Sequence, residues 1–429
     1  MATCYANSAA AGTSSHDHGG QHVNTDNTIE SGAEGSPTGP LTGVRVLEIT
    51  KYVQGPVAGL VLASLGADVV KIEQVGRQDS MRSGSMIHGV QLDDRGRSWL
   101  YGSVNRGKRA ISLDITSASG REVFHHLVAR SDVFVTNLRS EGLKALGADV
   151  DSVHAINPMV VYGQGGGLGP RGPLATDPCQ DTIGMAYSGF MDNSSPTEEP
   201  NYPPGSMSDV LTGTNLASAI MAGLVQRQFS GRGGLVRTSQ LQSMLWLQLL
   251  PVGMMASLGS RMARFVREDT TPLYSAYPTA DGWIAVAAIH PHHWPPLARV
   301  LGLEHLLDDP RFAFECIDEN KKALSEQFEA TFCQRTTAEW WQMLRAAGVW
   351  CSPVNRLEDL ADDEQVQANE YLVSFPDGFV GTPTPFEVNG WHGRRSVPGS
   401  YGEHTDEVLA ELGLGAEEIE GLRVEGTIW

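Results

Sequence analysis

The chain has 429 residues, a formal net charge of -19, and 41% hydrophobic against 19% charged residues. That length implies more than one domain, and that composition implies a globular protein with a sizeable core. The acidic balance argues against nucleic acid and anionic membrane surfaces as partners, because both would repel it; an anionic small ligand would need a local cluster of basic side chains.

Residues 1–40 are rich in Ala, Gly, Ser, Thr, Asn and His and carry almost no large apolar side chains. Such a segment cannot offset its ordering entropy by burial, so a disordered tail is expected there. "LTGVRVLEIT" then gives a buried strand, "GPVAGLVLASLGADVVKIE" a helix and a second strand, and the order strand–helix–strand makes a parallel βαβ unit. The pattern repeats through "RAISLDI", "SGREVFHHLVARS", "DVFVTNL" and "PMVVYG", which predicts a doubly wound, Rossmann-like α/β domain. "TGTNLASAIMAGLVQRQFSGRGG" predicts a long helix ending at Gly231, and "LVRTSQLQSMLWLQLL" a strand followed by a helix. After about residue 265 the texture changes. "YSAYPTADGWIAVAA" predicts two short strands around an Asp281-Gly282 turn, helices dominate to about 350, and strand–helix character then returns.

Several stretches invite a chemical reading. "YGQGGGLGPRGP" follows a strand, as a dinucleotide loop would, but Leu168 stands where the third glycine belongs. Pro170, Pro173 and Pro178 also block the helix that would hold a pyrophosphate, so a nicotinamide site is not supported. "HPHHW" brings His290, His292 and His293 close together with Pro291 between them; a turn entering a helix explains it better than a metal site. Cys4, Cys179, Cys316, Cys333 and Cys351 are scattered and odd in number, which suits reduced thiols in the cytoplasm. No apolar run is long enough to span a bilayer, and the N-terminal segment lacks the pattern of a secretory signal. Arg106, Lys108 and Arg109, with Lys71, Arg77, Arg82, Arg139 and Lys144, are either surface charge or a phosphate pocket inside an acidic protein. Asp181 is the one charge in "PCQDTIGMAYSG". An N-cap is its ordinary role, and an ionised carboxylate held at a helix start is also able to act as a nucleophile.

Taken in order from about residue 41 to the C terminus, these segments resemble the class III coenzyme A transferases, the CaiB/BaiF family. The resemblance is carried by "GPVAGLVLASLGADVVKIE", "NRGKRAISLD", "DVFVTNLRSEGLKALG", "GLGPRGPLATDPCQDTIGMAYSG", "SDVLTG", "GRGGLVRTSQLQS", "YPTADGWIAVA" and "GEHTDEVLAELG". It implies that Asp181, which follows Gly172-Pro173 and precedes Ser188-Gly189, is the nucleophile that takes CoA from an acyl-CoA donor and passes it to a carboxylic acid. It also implies CoA contacts at Lys108, Asn137 and Arg139, with Arg82 from the same basic set. A basic residue of the family pattern is Ala145 here, and a glutamine in the central helix is Met185. A glycine-rich shielding loop is not evident between 250 and 280, so a formyl or oxalyl substrate is not supported.

The coenzyme A thioester is then a substrate, and no cofactor or metal is expected. After the tail that composition gives over 1–40, the family fold implies a large α/β CoA-binding domain over 41–225, and a linker and small α+β domain over 226–350. A return to the large domain over 351–429 follows, in an interlocked homodimer. Two other readings stand beside this one. Racemases of 2-methylacyl-CoA share the fold and usually carry His before the Asp, where this chain has Gln180. A non-catalytic CoA-thioester binding protein is the other, and the presence of Asp181 counts against it.

Overall fold

The computed structural model describes residues 38–83, 97–262, 266 and 270–429. Of the tail expected over 1–40, all but 38–40 lies outside the described residues. Two compact units emerge. One holds the described residues up to Met262 together with Ala361–Trp429; the other holds those after Met262 up to Leu360.

The first unit is built on a parallel sheet of six strands, β1 (Arg45–Ile49), β2 (Asp68–Glu73), β3 (Lys108–Ser112), β4 (Val133–Thr136), β5 (Val161–Gly166) and β6 (Gly234–Ser239), in the order β3-β2-β1-β4-β5-β6. Its strands are short runs of Val, Ile and Leu, buried on both faces as a parallel sheet requires. Helices α1 (Gln54–Ser64), α2 (Trp99–Asn105), α3 (Ala118–Ala129), α4 (Ser140–Leu146) and α5 (Val150–Ile156) connect the first five strands. Helices α6 (Asp181–Tyr187), α7 (Phe190–Asn193) and α8 (Met207–Ser230) lie between β5 and β6, and α9 (Gln240–Leu247) and α10 (Leu249–Leu258) follow β6. Helix α1 is buried along most of its length, and α8 packs across it. The two approach closely because Gly213 has no side chain: a Cβ there would sit 2.4 Å from the Gln54 carbonyl oxygen.

The strand order reverses between β1 and β4, which opens a crevice beyond their carboxyl ends. The Asn137 side chain spans it, accepting from the Lys51 N–H at 2.9 Å and donating to the Lys51 carbonyl at 2.8 Å. Tyr52, next in the chain, takes a left-handed backbone with φ of 64°. At the other end of the sheet, β3 is an edge strand whose N–H groups are not left open. Ala110 donates to His404 Nδ1 and Ser112 to Thr405 Oγ1, so the C-terminal segment closes that edge.

The second unit carries an antiparallel sheet of β7 (Tyr274–Pro278), β8 (Trp283–Ala287) and β9 (Cys351–Pro353). Its core stacks Tyr277 on Phe332 at 5.2 Å between ring centres, with Phe328 and Trp340 edge-on. His290, His292 and His293 form a short turn into the helix Trp294–Val300, and among the described residues no cluster suited to a metal ion is present.

Both domain boundaries differ from those expected. Residues 226–262 belong with the large unit, because β6 pairs in parallel with β5 as the last strand of its sheet. Residues 351–360 stay with the small unit, because Cys351–Pro353 pairs with β8.

Beneath β1–β3 lies a buried ionic group. Glu48 meets Lys108 Nζ at 2.9 Å and Lys71 Nζ at 3.6 Å, and Lys71 also meets Asp79 at 3.0 Å. Removing one partner of such a group strands a charge in a dry interior. Glu48→Gln is therefore expected to lower stability by about 3–5 kcal/mol, read from the urea unfolding midpoint. Replacing Glu48 and Lys108 together by Met is expected to recover much of that loss.

Candidate active site

The site is assembled by three helices whose residues are far apart in sequence. Asp181 is the first residue of α6, and the N-cap is Gln180, which makes no side-chain capping bond. The N-cap role expected for Asp181 is thus not the one it has. Its carboxylate turns instead toward α8, where Oδ1 accepts the Asp209 N–H at 3.1 Å. Asp181 is half-buried, and no described cation pairs with it. Burial pushes its pKa above the ordinary carboxylate value, while the backbone N–H groups of Asp209 and Ser208 pull the other way.

The contact between α6 and α8 depends on Gly184. A Cβ at that position would lie 2.4 Å from Ser208 Oγ and 2.9 Å from Gln240 Cβ. Met185, the next residue, is fully buried. An amide near Asp181 does exist, but it comes from α9. Gln240 Nε2 donates to Asp209 Oδ1, and Gln240 Oε1 accepts from Cys179 Sγ at 2.7 Å. Asp209 is buried, and burial together with the neighbouring Asp181 pushes its pKa up to about 7, with the Gln240 amide opposing. Cys179 is pushed up to about 11 by burial, then by Asp209 and Asp181, so it is a thiol and a hydrogen-bond donor at neutral pH. Asp209, Gln240 and Cys179 lie in segments that carry the family resemblance, "SDVLTG", "GRGGLVRTSQLQS" and "DPCQD", but were not singled out as site residues. Their proximity to Asp181 arises only when α6, α8 and α9 pack together.

The four basic or amide residues expected to contact CoA do not share one surface. Lys108 is wholly buried, donating to Glu48, to the Pro56 carbonyl at 2.8 Å and to Asn105 Oδ1 at 3.0 Å. Burial draws its pKa down to about 8, with Glu48 opposing. Arg82 is held by Glu73 at 2.6 Å, donates to the Gly399 carbonyl and lies 3.8 Å from the centre of the Tyr101 ring. Asn137 is spent on the Lys51 backbone, as described above. Arg139 alone of the four is exposed, at the N-cap of α4. A buried lysine on a strand and a surface lysine look alike in sequence, which is why the basic run before β3 suggested a phosphate pocket. Lys51, exposed at the end of β1, was not singled out, although it flanks the same crevice as Arg139.

Comparison with known proteins agrees with this architecture. The model of CoA-transferase family III matches residues 41–405. Succinyl-CoA:glutarate CoA-transferase of Mus musculus is 30% identical over 387 residues, covering 87% of this chain and 86% of that one. Succinate–glutarate CoA-transferase of Agrobacterium fabrum is 30% identical, covering 87% of this chain and 96% of that one. The crystal structure of a CaiB/BaiF family protein from Brucella suis superposes with a TM-score of 0.79 at 28% identity, covering 88% of this chain and all of that one. The chain belongs to CoA-transferase family III and is a CoA-transferase.

The carboxylate pair has a consequence for stability. The folded pKa of Asp209, about 7, lies above the ordinary Asp value, so the folded protein holds that proton more tightly than the unfolded chain. Its contribution is complete below the unfolded pKa and is lost as pH rises through 7. Asp209→Asn cannot ionise, so its melting temperature relative to wild type is expected to rise between pH 5 and pH 8.

Proposed function

We propose that Asp181 carries CoA between an acyl-CoA donor and a carboxylic acid acceptor as an aspartyl-CoA thioester. The observation that supports this most directly is the state of its carboxylate. One oxygen is fixed by the Asp209 N–H, and no described cation neutralises the group. A carboxylate so oriented, half-buried and unpaired by a cation is available to a carbonyl carbon.

In the first step an Asp181 oxygen attacks the acyl carbonyl of the donor, and CoA leaves as a thiolate. The product is a mixed anhydride between the acyl group and Asp181. The thiolate then attacks the aspartyl carbonyl, the donor acid departs with the bridging oxygen, and the thioester remains on Asp181. An acceptor carboxylate runs the same two steps in reverse. No water enters the balance, so the activated carbonyl must be kept from water throughout.

For the CoA phosphates we propose the crevice between β1 and β4, with Arg139 and Lys51 as the exposed cations beside it. Lys108, Arg82 and Asn137 act there at one remove, by holding the strand ends that shape the crevice. Two copies of the chain forming an interlocked homodimer is the assembly we propose. It is supported by the apolar side chains that α9 and α10 leave open, with Trp246, Leu250 and Leu258 each about two-thirds exposed or more. A racemase is the less favoured reading, because Gln180, directly before Asp181, has no proton to exchange near neutral pH.

Incubation with succinyl-CoA is expected to add the mass of CoA less water to the Asp181 peptide, and hydroxylamine to remove it. Asp181→Ala is expected to lose adduct and turnover while keeping its melting temperature within a few degrees. Turnover retained in that variant, or rapid α-deuteration of a 2-methylacyl-CoA in heavy water without any acceptor, would overturn the reading.

A further inference from the structure

The buried carboxyl beside the nucleophile has no place in the transfer steps above, yet three elements converge on it. Asp209 sits in the first turn of α8. Its N–H holds Asp181, and its own side chain receives the Gln240 amide from α9. That amide cannot turn over without loss. The Cys179 thiol donates to its oxygen, so its nitrogen is left facing Asp209. A further polar group at this seam, Ser208 Oγ, is buried beside Gly184 with no hydrogen-bond partner among the described residues. The titratable groups that face Asp209 are Asp181 from α6 and Cys179 from the segment before it; α9 offers only the Gln240 amide, and no described cation pairs with Asp209. Nothing nearby therefore favours its ionised form except one amide.

We propose that Asp209 is a positioning residue for Asp181 whose side-chain charge also controls entry of the anionic acceptor. The proposal rests on the reading of Asp181 as the CoA carrier. Once Asp181 is a neutral thioester, Asp209 is the one carboxyl of the pair that can still carry charge. Neutral Asp209 leaves the thioester carbonyl open to an incoming carboxylate. Ionised Asp209 places a negative charge beside that approach and repels it. In the donor half-reaction the reacting negative charge starts on Asp181, already beside Asp209, and the incoming thioester carbonyl is uncharged, so ionising Asp209 adds less to its cost of entry. The two half-reactions should then differ in pH dependence. Loss of the Asp181 charge also makes Asp209 easier to ionise, because that charge is one cause of its raised pKa. The acceptor half-reaction should therefore fall off at lower pH than Asp209 titrates in the free enzyme.

The test is steady-state kinetics from pH 5.5 to 8.5 at constant ionic strength, with acetyl-CoA as donor and glutarate as acceptor. In the wild type, kcat/KM for glutarate is expected to fall about tenfold across the range, the scale of one partly screened charge repulsion. The value for acetyl-CoA should change much less. Asp209→Asn should flatten the glutarate profile. Gln240→Met removes the donor that favours ionised Asp209, so it should move the fall to higher pH; this second variant keeps the test open if Asp209→Asn does not fold. A purely structural role would lower both profiles at every pH and leave their shapes unchanged, and that result would overturn the proposal. So would a glutarate profile in Asp209→Asn with the wild-type slope. Absence of the CoA adduct from wild-type Asp181 would instead remove the underlying reaction, and it is scored separately by mass.

Discussion

The close approach of α6 to α8 is the constraint on which the site depends. It is set at Gly184, where no side chain intervenes between the first turn of α6 and the start of α8. With any side chain there, Ser208 Oγ and the Gln240 side chain would have to move. Gly184 thus lets α6 approach α8 closely where the Asp209 N–H meets the Asp181 carboxylate. The same seam explains the electrostatics. Burial, and then the neighbouring Asp181 charge, raise the pKa of Asp209 to about 7, and burial raises that of Asp181.

The sheet supplies the second half of the architecture. Its strand order opens a crevice at the ends of β1 and β4, and the Asn137 side chain ties the two strand ends together. The ionic group of Glu48, Lys71, Lys108 and Asp79 lies inside the protein beside this region, and its charges are matched to one another. Such charges fix geometry without being offered to a ligand. The cations that stay exposed at the crevice are Arg139 and Lys51, and it is to these that we propose the CoA phosphates bind.

Much of this was legible before the structure. The alternation of apolar strands with small-residue helices marked the doubly wound sheet, and Gly231 marked the end of α8. Asp181 stood out as a single charge at the head of a short helix. What was not legible has physical causes. A strand is expected at "LVRTSQ", but the sequence does not show which sheet it joins, and its pairing with β5 carries the large unit past the expected boundary at 225. The burial of Lys108 depends on partners far along the chain. Asp209 reaches Asp181, and Gln240 reaches Asp209, only through helix packing, so the segments that carry them do not by themselves reveal the contact.

The central claim is that the Asp181 carboxylate exchanges an oxygen with the acids it serves. This is tested most directly with glutarate labelled with oxygen-18 in its carboxylates, in a single turnover from the CoA-loaded enzyme, followed by mass analysis of the Asp181 peptide. The account predicts that one labelled oxygen from the acceptor remains on Asp181. Transfer of CoA to glutarate with no label on Asp181 would contradict it.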